Sequence, residues 1–190
     1  QLLQGLMLKD DEIHFHFTIN KAFEKEIKNS LSAIQHLTGR GCNVSWSEQD
    51  PSTNSIAFGD DKEPIIENGE ILTRPSGHGA LLENLNRIEG DVIFIKNIDN
   101  IQHEINAEEA VDHLRYLGGL LQSFRTELKA TIESDNPNSQ FEALNERYQF
   151  ICSSTDFSKL SPEEIKEIAN KPIRICGMVR NEGQPGGGPF

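Results

Sequence analysis

Residues Arg74–Asn100 read RPSGHGALLENLNRIEGDVIFIKNIDN, and the order of their parts decides the architecture to expect. Gly77-His78-Gly79 forms a turn ahead of an amphipathic helix running from Gly79 to about Arg87. Glycines let the backbone approach a ligand closely, and a helix start adds unpaired N–H groups and a positive dipole end. Asp91 to Lys96 then reads as a central strand, because VIFI is apolar on both faces, as buried parallel strands are. That strand ends on Asn97-Ile98-Asp99-Asn100. In open α/β sheets ligands lie beyond the carboxyl ends of the strands, where Asp99 would fall. Its carboxylate suits Mg²⁺, which takes one or two carboxylates together with substrate phosphates. Each part has an ordinary counterpart, a glycine-rich turn before a helix and an Asx turn closing a strand. Together they place a backbone cradle and a hard oxygen ligand where one nucleotide could meet both.

Working outward, Ile13 to Phe17 alternate, so residues 12–18 are expected as a strand. Asn20 caps a helix through about Leu37, with Phe23, Ile27, Leu31 and Ile34 at helical spacing. Asn43–Ser47 and Ser55–Phe58 read as short strands. Pro64–Thr73 reads as a hairpin turning at Asn68-Gly69, where positive φ is tolerated. From Ala107 to Glu133 one apolar stripe runs through Val111, Leu114, Leu117, Leu121, Phe124, Leu128 and Ile132, predicting a long helix. Asn136-Pro137-Asn138 ends it, and Gln140–Phe150 is a further helix. Ser161-Pro162-Glu163-Glu164 has the form of a helix start, which predicts a helix to about Asn170. Ile173–Val179 is expected as a last strand. Alternating strands and helices predict an α/β sheet. The sheet region is assigned to 1–106 and 171–190, and 107–170 to a helical insertion or subdomain.

The chain has 190 residues, 36% hydrophobic and 25% charged, enough for a real core. No run approaches the ~20 apolar residues of a membrane helix, so no membrane partner is expected. The start, QLLQGLMLKDDE, lacks an initiating Met and the features of a signal peptide. The chain reads as a middle piece of a longer protein. Its net charge of −12 argues against a nucleic-acid partner, which needs a basic surface. A phosphorylated small molecule needs only a local cluster or a metal. Cys42, Cys152 and Cys176 have no zinc spacing and read as free thiols, consistent with a cytoplasmic location.

PSGHGALLENL followed by GDVIFIKNIDN resembles the UDP-sugar pyrophosphorylases, among them UTP–glucose-1-phosphate uridylyltransferase and the UDP-N-acetylhexosamine pyrophosphorylases. Their pattern is Pro-x-Gly-(His/Asn)-Gly, a helix, and a strand ending in (Asn/Val)-x-Asp-Asn. The histidine variant, Gly77-His78-Gly79, is most similar to the glucose-specific branch. This resemblance covers residues 74–100, with a weaker echo at 172–180. Nearly the whole chain also resembles an uncharacterised bacterial family of unknown function, through RPSGHGALLENLN, IFIKNIDN and PIRICGMVRNEGQPGGGPF.

The pyrophosphorylase resemblance implies a partial nucleotide-diphospho-sugar transferase-like sheet, Rossmann-like and mixed. In those enzymes a sugar 1-phosphate oxygen attacks the α-phosphate of a nucleoside triphosphate, and pyrophosphate leaves. Asp99 would hold Mg²⁺, and His78 would lie near the nucleotide or the sugar phosphate. Pro75, Gly77, His78, Gly79 and Asn100 would form the nucleotide-binding set, and Lys96 and Arg74 could contact phosphate. The chemistry is positioning and charge neutralisation, with no protein nucleophile required. The sequence departs from those enzymes by lacking their Gly-x-Gly-Thr-Arg-type loop and phosphate-binding lysine, so this piece is not expected to catalyse alone. A non-catalytic nucleotide or nucleotide-sugar binding module and a glycosyltransferase on the same fold are the competing readings.

Other chemistry-bearing residues are read more plainly. His14 and His16 share one strand face and could bind a metal, yet no third ligand is apparent. They are read as a solvated or hydrogen-bonded face. Glu109 and His113 lie one turn apart in an acidic cluster with His103, Glu104, Glu108 and Asp112, read as an exposed helix face. Arg174 and Arg180 are read as solvent-exposed.

Overall fold

The computed structural model describes residues 2–8, 13–97, 103–152, 154–178 and 183. The chain divides into two compact units, Gln1–Val111 and Asp112–Phe190.

The first unit is organised by a parallel pair of strands. β1 (His14–Thr18) and β2 (Asn43–Ser47) align with Phe15 opposite Val44, His16 opposite Ser45 and Thr18 opposite Ser47. Parallel strands need a crossover, here α2 (Glu24–Thr38). A single 3-10 turn at Lys21–Phe23 leads into α2, with the Asn20 side chain accepting the Ala22 N–H. Gly39 closes the helix at φ +65°, a left-handed cap that glycine adopts without Cβ strain. The alternation of β1 separates two faces. On one, Phe17 stacks with Phe15 at 6.2 Å and with Trp46 at 5.4 Å. The Lys28 ammonium of α2 lies 5.9 Å from the centroid of Trp46, which places α2 on this aromatic face. A further helix, α1 (Leu2–Leu8), has no clear signal in the sequence and buries Leu2, Gln4 and Leu6. A Cβ on Gly5 would come within 2.2 Å of the Phe15 ring, so glycine is required for that approach.

Short antiparallel strands complete the unit. β3 (Ser55–Ile56) pairs with β6 (Thr73–Arg74), and β4 (Ile66–Glu67) with β5 (Glu70–Ile71). The hairpin turns at Asn68 (φ +53°) and Gly69 (φ +86°), the two positive angles that the Asn-Gly signal predicts. A 3-10 turn at His78–Leu81 runs into α3 (Leu82–Asn86).

The second unit is helical. α4 (Glu108–Ile132) crosses the unit boundary, and its later part packs with α5 (Pro137–Tyr148) and α6 (Pro162–Ala169). The core joins Phe124 and Leu128 to Phe141, Leu144, Phe157 and Ile165. Phe124 meets Phe150 edge-on at 4.9 Å, and Phe141 meets Phe150 at 5.4 Å. Ser161 and Glu164 form a reciprocal capping box at the start of α6, as the Ser-Pro-Glu-Glu sequence predicts.

Two expected strands do not form. Residues 91–96 have no sheet partner, and Val92, Ile93, Phe94 and Ile95 are 38, 40, 47 and 70% exposed. Residues 173–178 are likewise unpaired, and Ile173 packs against the helical core instead. The physical reason is common to both. An apolar run signals a demand for cover and does not specify whether a strand or a helix supplies it. The expected Rossmann-like mixed sheet does not form as one layer among the described residues. Among the described residues the strands form three separate two-stranded sheets. The coarser α/β character holds, through the β1–α2–β2 crossover.

Candidate functional site

Of the expected site, the glycine turn is described and the acidic tip is not. Asp99 and Asn100 lie outside the described residues, as does Arg180.

The turn is fixed from both sides. On its entry side β6 pairs with β3, Ser55 opposite Arg74, and the Ser76 hydroxyl bonds Ser55. On its exit side Asn84 of α3 donates through Nδ2 to Ser47 Oγ and to the Glu48 carbonyl, both at 2.8 Å. Ser47 is the last residue of β2, so the helix that follows the turn is tied to the carboxyl end of the parallel pair. That is the end at which α/β folds bind ligands. Arg87 adds an exposed ion pair to Asp50 at 3.7 Å, which contributes little. The Asp50 carboxyl is held below the usual carboxylate range, chiefly by the backbone and side-chain hydrogen bonds from Ser52, with help from Arg87.

Between these ties Pro75, Gly77, His78 and Gly79 are exposed, and the Ala80 N–H closes the turn on the Gly77 carbonyl at 3.0 Å. Gly77 is extended (φ −70°, ψ −172°), and a Cβ on Gly77 or Gly79 would face open space. Neither glycine is required by sterics within the described fold.

Lys96 is placed differently from expectation. Its ammonium donates to Gln4 Oε1 of α1 at 2.5 Å, and Gln4 is buried. Lys96 thus ties the apolar 92–95 segment to α1. Arg74 is exposed within β6, beside the turn.

The two histidines of β1 are hydrogen-bonded, as their strand-face reading anticipates, and their partners are Ser45 and Ser47. Burial, and secondarily the neighbouring His14, push the His16 imidazole below its ordinary pKa. Among the described residues no group of three or more His, Cys, Asp or Glu is placed to hold a metal ion. The Glu109–His113 helix face forms no such group. A cavity of about 610 Å³ lined by His36, Arg40, Cys42 and Asn43 among others lies at the amino end of β2, away from Asn84. Sequence reasoning did not single out Asn84, Ser45 or Ser47. The alternation of Asn-Val-Ser-Trp-Ser carried the signal for both serines, which share the face opposite Trp46.

The described structure is an α/β chain with a parallel βαβ unit, a glycine turn tied to its carboxyl end, and a separate helical unit. The chain belongs to the family described as Domain of unknown function (DUF4301), whose model matches residues 4–190. No curated protein and no solved structure matches it.

Proposed function

We propose that this chain carries the nucleotide-facing part of a nucleotidyltransferase-like protein, which joins a nucleoside triphosphate to a sugar 1-phosphate and releases pyrophosphate. The observation that carries the reading is the tie from Asn84 to Ser47 and Glu48, which holds the Gly77-His78-Gly79 turn at the carboxyl end of the β1–β2 pair. The exposed backbone at Gly77 and Gly79, unneeded by local sterics, supports contact with a base. His78, exposed in the same turn, is the side chain nearest in sequence to that contact. The resemblance of residues 74–100 to the UDP-sugar pyrophosphorylases supplies the substrate class. Asp99, a hard oxygen donor, would hold Mg²⁺ by donor chemistry, and Asn100 would support the same loop. When bound, the ion would neutralise charge on the phosphates. The chain's own residues would position the base and exclude competing orientations.

The test is pyrophosphate release in the presence of Mg²⁺ from a panel of nucleoside triphosphates and sugar 1-phosphates. Asp99→Asn should abolish it. Retention of the full rate by that variant removes the metal role. Nucleotide-sugar consumption without pyrophosphate would point to glycosyl transfer. Nucleotide binding without turnover would leave a binding module.

A further inference from the structure

Two imidazole nitrogens on the polar face of β1 converge on one atom. His14 Nε2 lies 2.8 Å from Ser45 Oγ, and His16 Nδ1 lies 2.7 Å from the same oxygen. Residues two apart on a strand share a face, and the register sets Ser45 of β2 opposite His16. The strand pair thus brings all three atoms to one point. His14 is exposed, which gives an ion access from its side.

The far side of His16 is held as well. Its Nε2 meets Ser47 Oγ at 2.8 Å, and that oxygen also meets Asn84 Nδ2 at 2.8 Å and Thr18 Oγ1 at 3.0 Å. An amide nitrogen only donates, so Asn84 fills one lone pair of Ser47. When His16 carries its proton on Nε2, that N–H fills the second lone pair, and the Ser47 proton goes to Thr18. Every link is then satisfied, and the His16 Nδ1 lone pair is left at the point shared with His14. A ligating imidazole almost always donates its other ring N–H to a neighbouring acceptor in this way, which fixes its tautomer and orientation. His14, being exposed, is able to carry its proton on Nδ1 and offer Nε2 likewise.

We infer that His14 Nε2 and His16 Nδ1 bind one divalent transition-metal ion of the zinc, copper or nickel kind, with the Ser45 hydroxyl beside them and water completing the shell. Imidazole nitrogens suit these ions, whereas Mg²⁺ takes oxygen donors. The ion is therefore distinct from the Mg²⁺ proposed at Asp99, and the inference does not rest on the nucleotide reading. The spacing is close to what such an ion needs. Bonds of about 2.1 Å to both nitrogens and the oxygen require nitrogen–oxygen separations of roughly 3.0–3.4 Å, from octahedral to tetrahedral angles. The present 2.7 and 2.8 Å reach that range by small side-chain rotations. Among the described residues no third His, Cys, Asp or Glu completes a set of three, so the site is an open one that keeps positions for water. A net charge of −12 raises the local concentration of cations.

The test is calorimetric titration of the folded protein with ZnCl₂ near neutral pH. The expected result is one dominant site per chain, with affinity lowered at least about tenfold in His14→Gln and in His16→Gln and unchanged in His36→Gln and His113→Gln. An excess of Mg²⁺ should not displace the ion. His16→Gln also disturbs the bonds to Ser45 and Ser47 that cross the strand pair, so Ser45→Cys supplies a gain of binding as a second measurement. A thiolate at the shared point should raise Zn²⁺ affinity at least about tenfold, and adding His14→Gln should cancel the gain. No binding to the folded parent, equal affinity in folded His14→Gln, displacement by Mg²⁺, or no gain in Ser45→Cys would overturn the assignment. Binding lost only in His36→Gln would overturn it too, by moving the ion to the cavity at the amino end of β2.

Discussion

The two units solve the problem of burying a chain in opposite ways. The helical unit has an aromatic core in which Phe141 is 0% exposed, and its α6 begins on a complete capping box. The β1–β2 unit spends one face on Phe15, Phe17 and Trp46 and leaves the other to histidine, serine and threonine. Polar groups that could have been replaced by apolar ones are instead linked in a row. The comparison teaches that apolar packing and linked polar side chains are concentrated in different halves of the sequence. The half with the better core has no polar cluster of comparable length among its described side chains.

Mutation can break or sharpen that contrast. Phe141→Ala should have the largest effect, lowering the stability of the helical unit by about 3–5 kcal/mol through lost contacts and a cavity. The loss is read from the denaturant midpoint of the far-ultraviolet helix signal. Trp46, the one tryptophan of the chain, reports separately on the strand pair. Gly5→Val should cost about 1–3 kcal/mol in the transition followed by Trp46 fluorescence, because its side chain would enter the space of the Phe15 ring. An unchanged midpoint there would mean that α1 is not packed on that face. Ser161→Ala removes one side of the capping box and should lower helical-unit stability by about 1 kcal/mol.

The smallest expected effect is a pH dependence. The His16 pKa is depressed in the fold, so the unfolded chain binds the proton more readily. Its contribution is present above the unfolded value of about 6.5 and is lost as pH falls through the folded value. Acidification below neutrality should weaken the Trp46-reported transition in the parent protein more than in His16→Gln. Equal weakening in both would assign the acid sensitivity elsewhere.

Much of the local structure was legible because single residues decide it. Asn20, Asn68-Gly69 and Ser161 each satisfy or redirect particular backbone groups, and each does so where the sequence indicated. The alternation of β1 and β2 was legible for the same reason. The segments 91–96 and 173–178 were not, because pairing depends on a partner distant in sequence and an apolar run does not identify it. For the candidate site, the turn at Gly77–Gly79 ahead of a helix was visible. The role of Lys96 was not, since its contact with Gln4 spans most of the first unit. Asn84 was invisible for a related reason. A buried asparagine looks like any helix-surface amide until its partners on β2 are known.

The unpaired Val92–Ile95 stretch has a practical consequence. Four consecutive uncharged residues of high strand tendency, all open to solvent, form the kind of segment through which chains recruit one another edge to edge. Concentrated samples should therefore self-associate through it, and a lysine in place of Ile95, the most exposed of the four, should act as a gatekeeper and extend the soluble range.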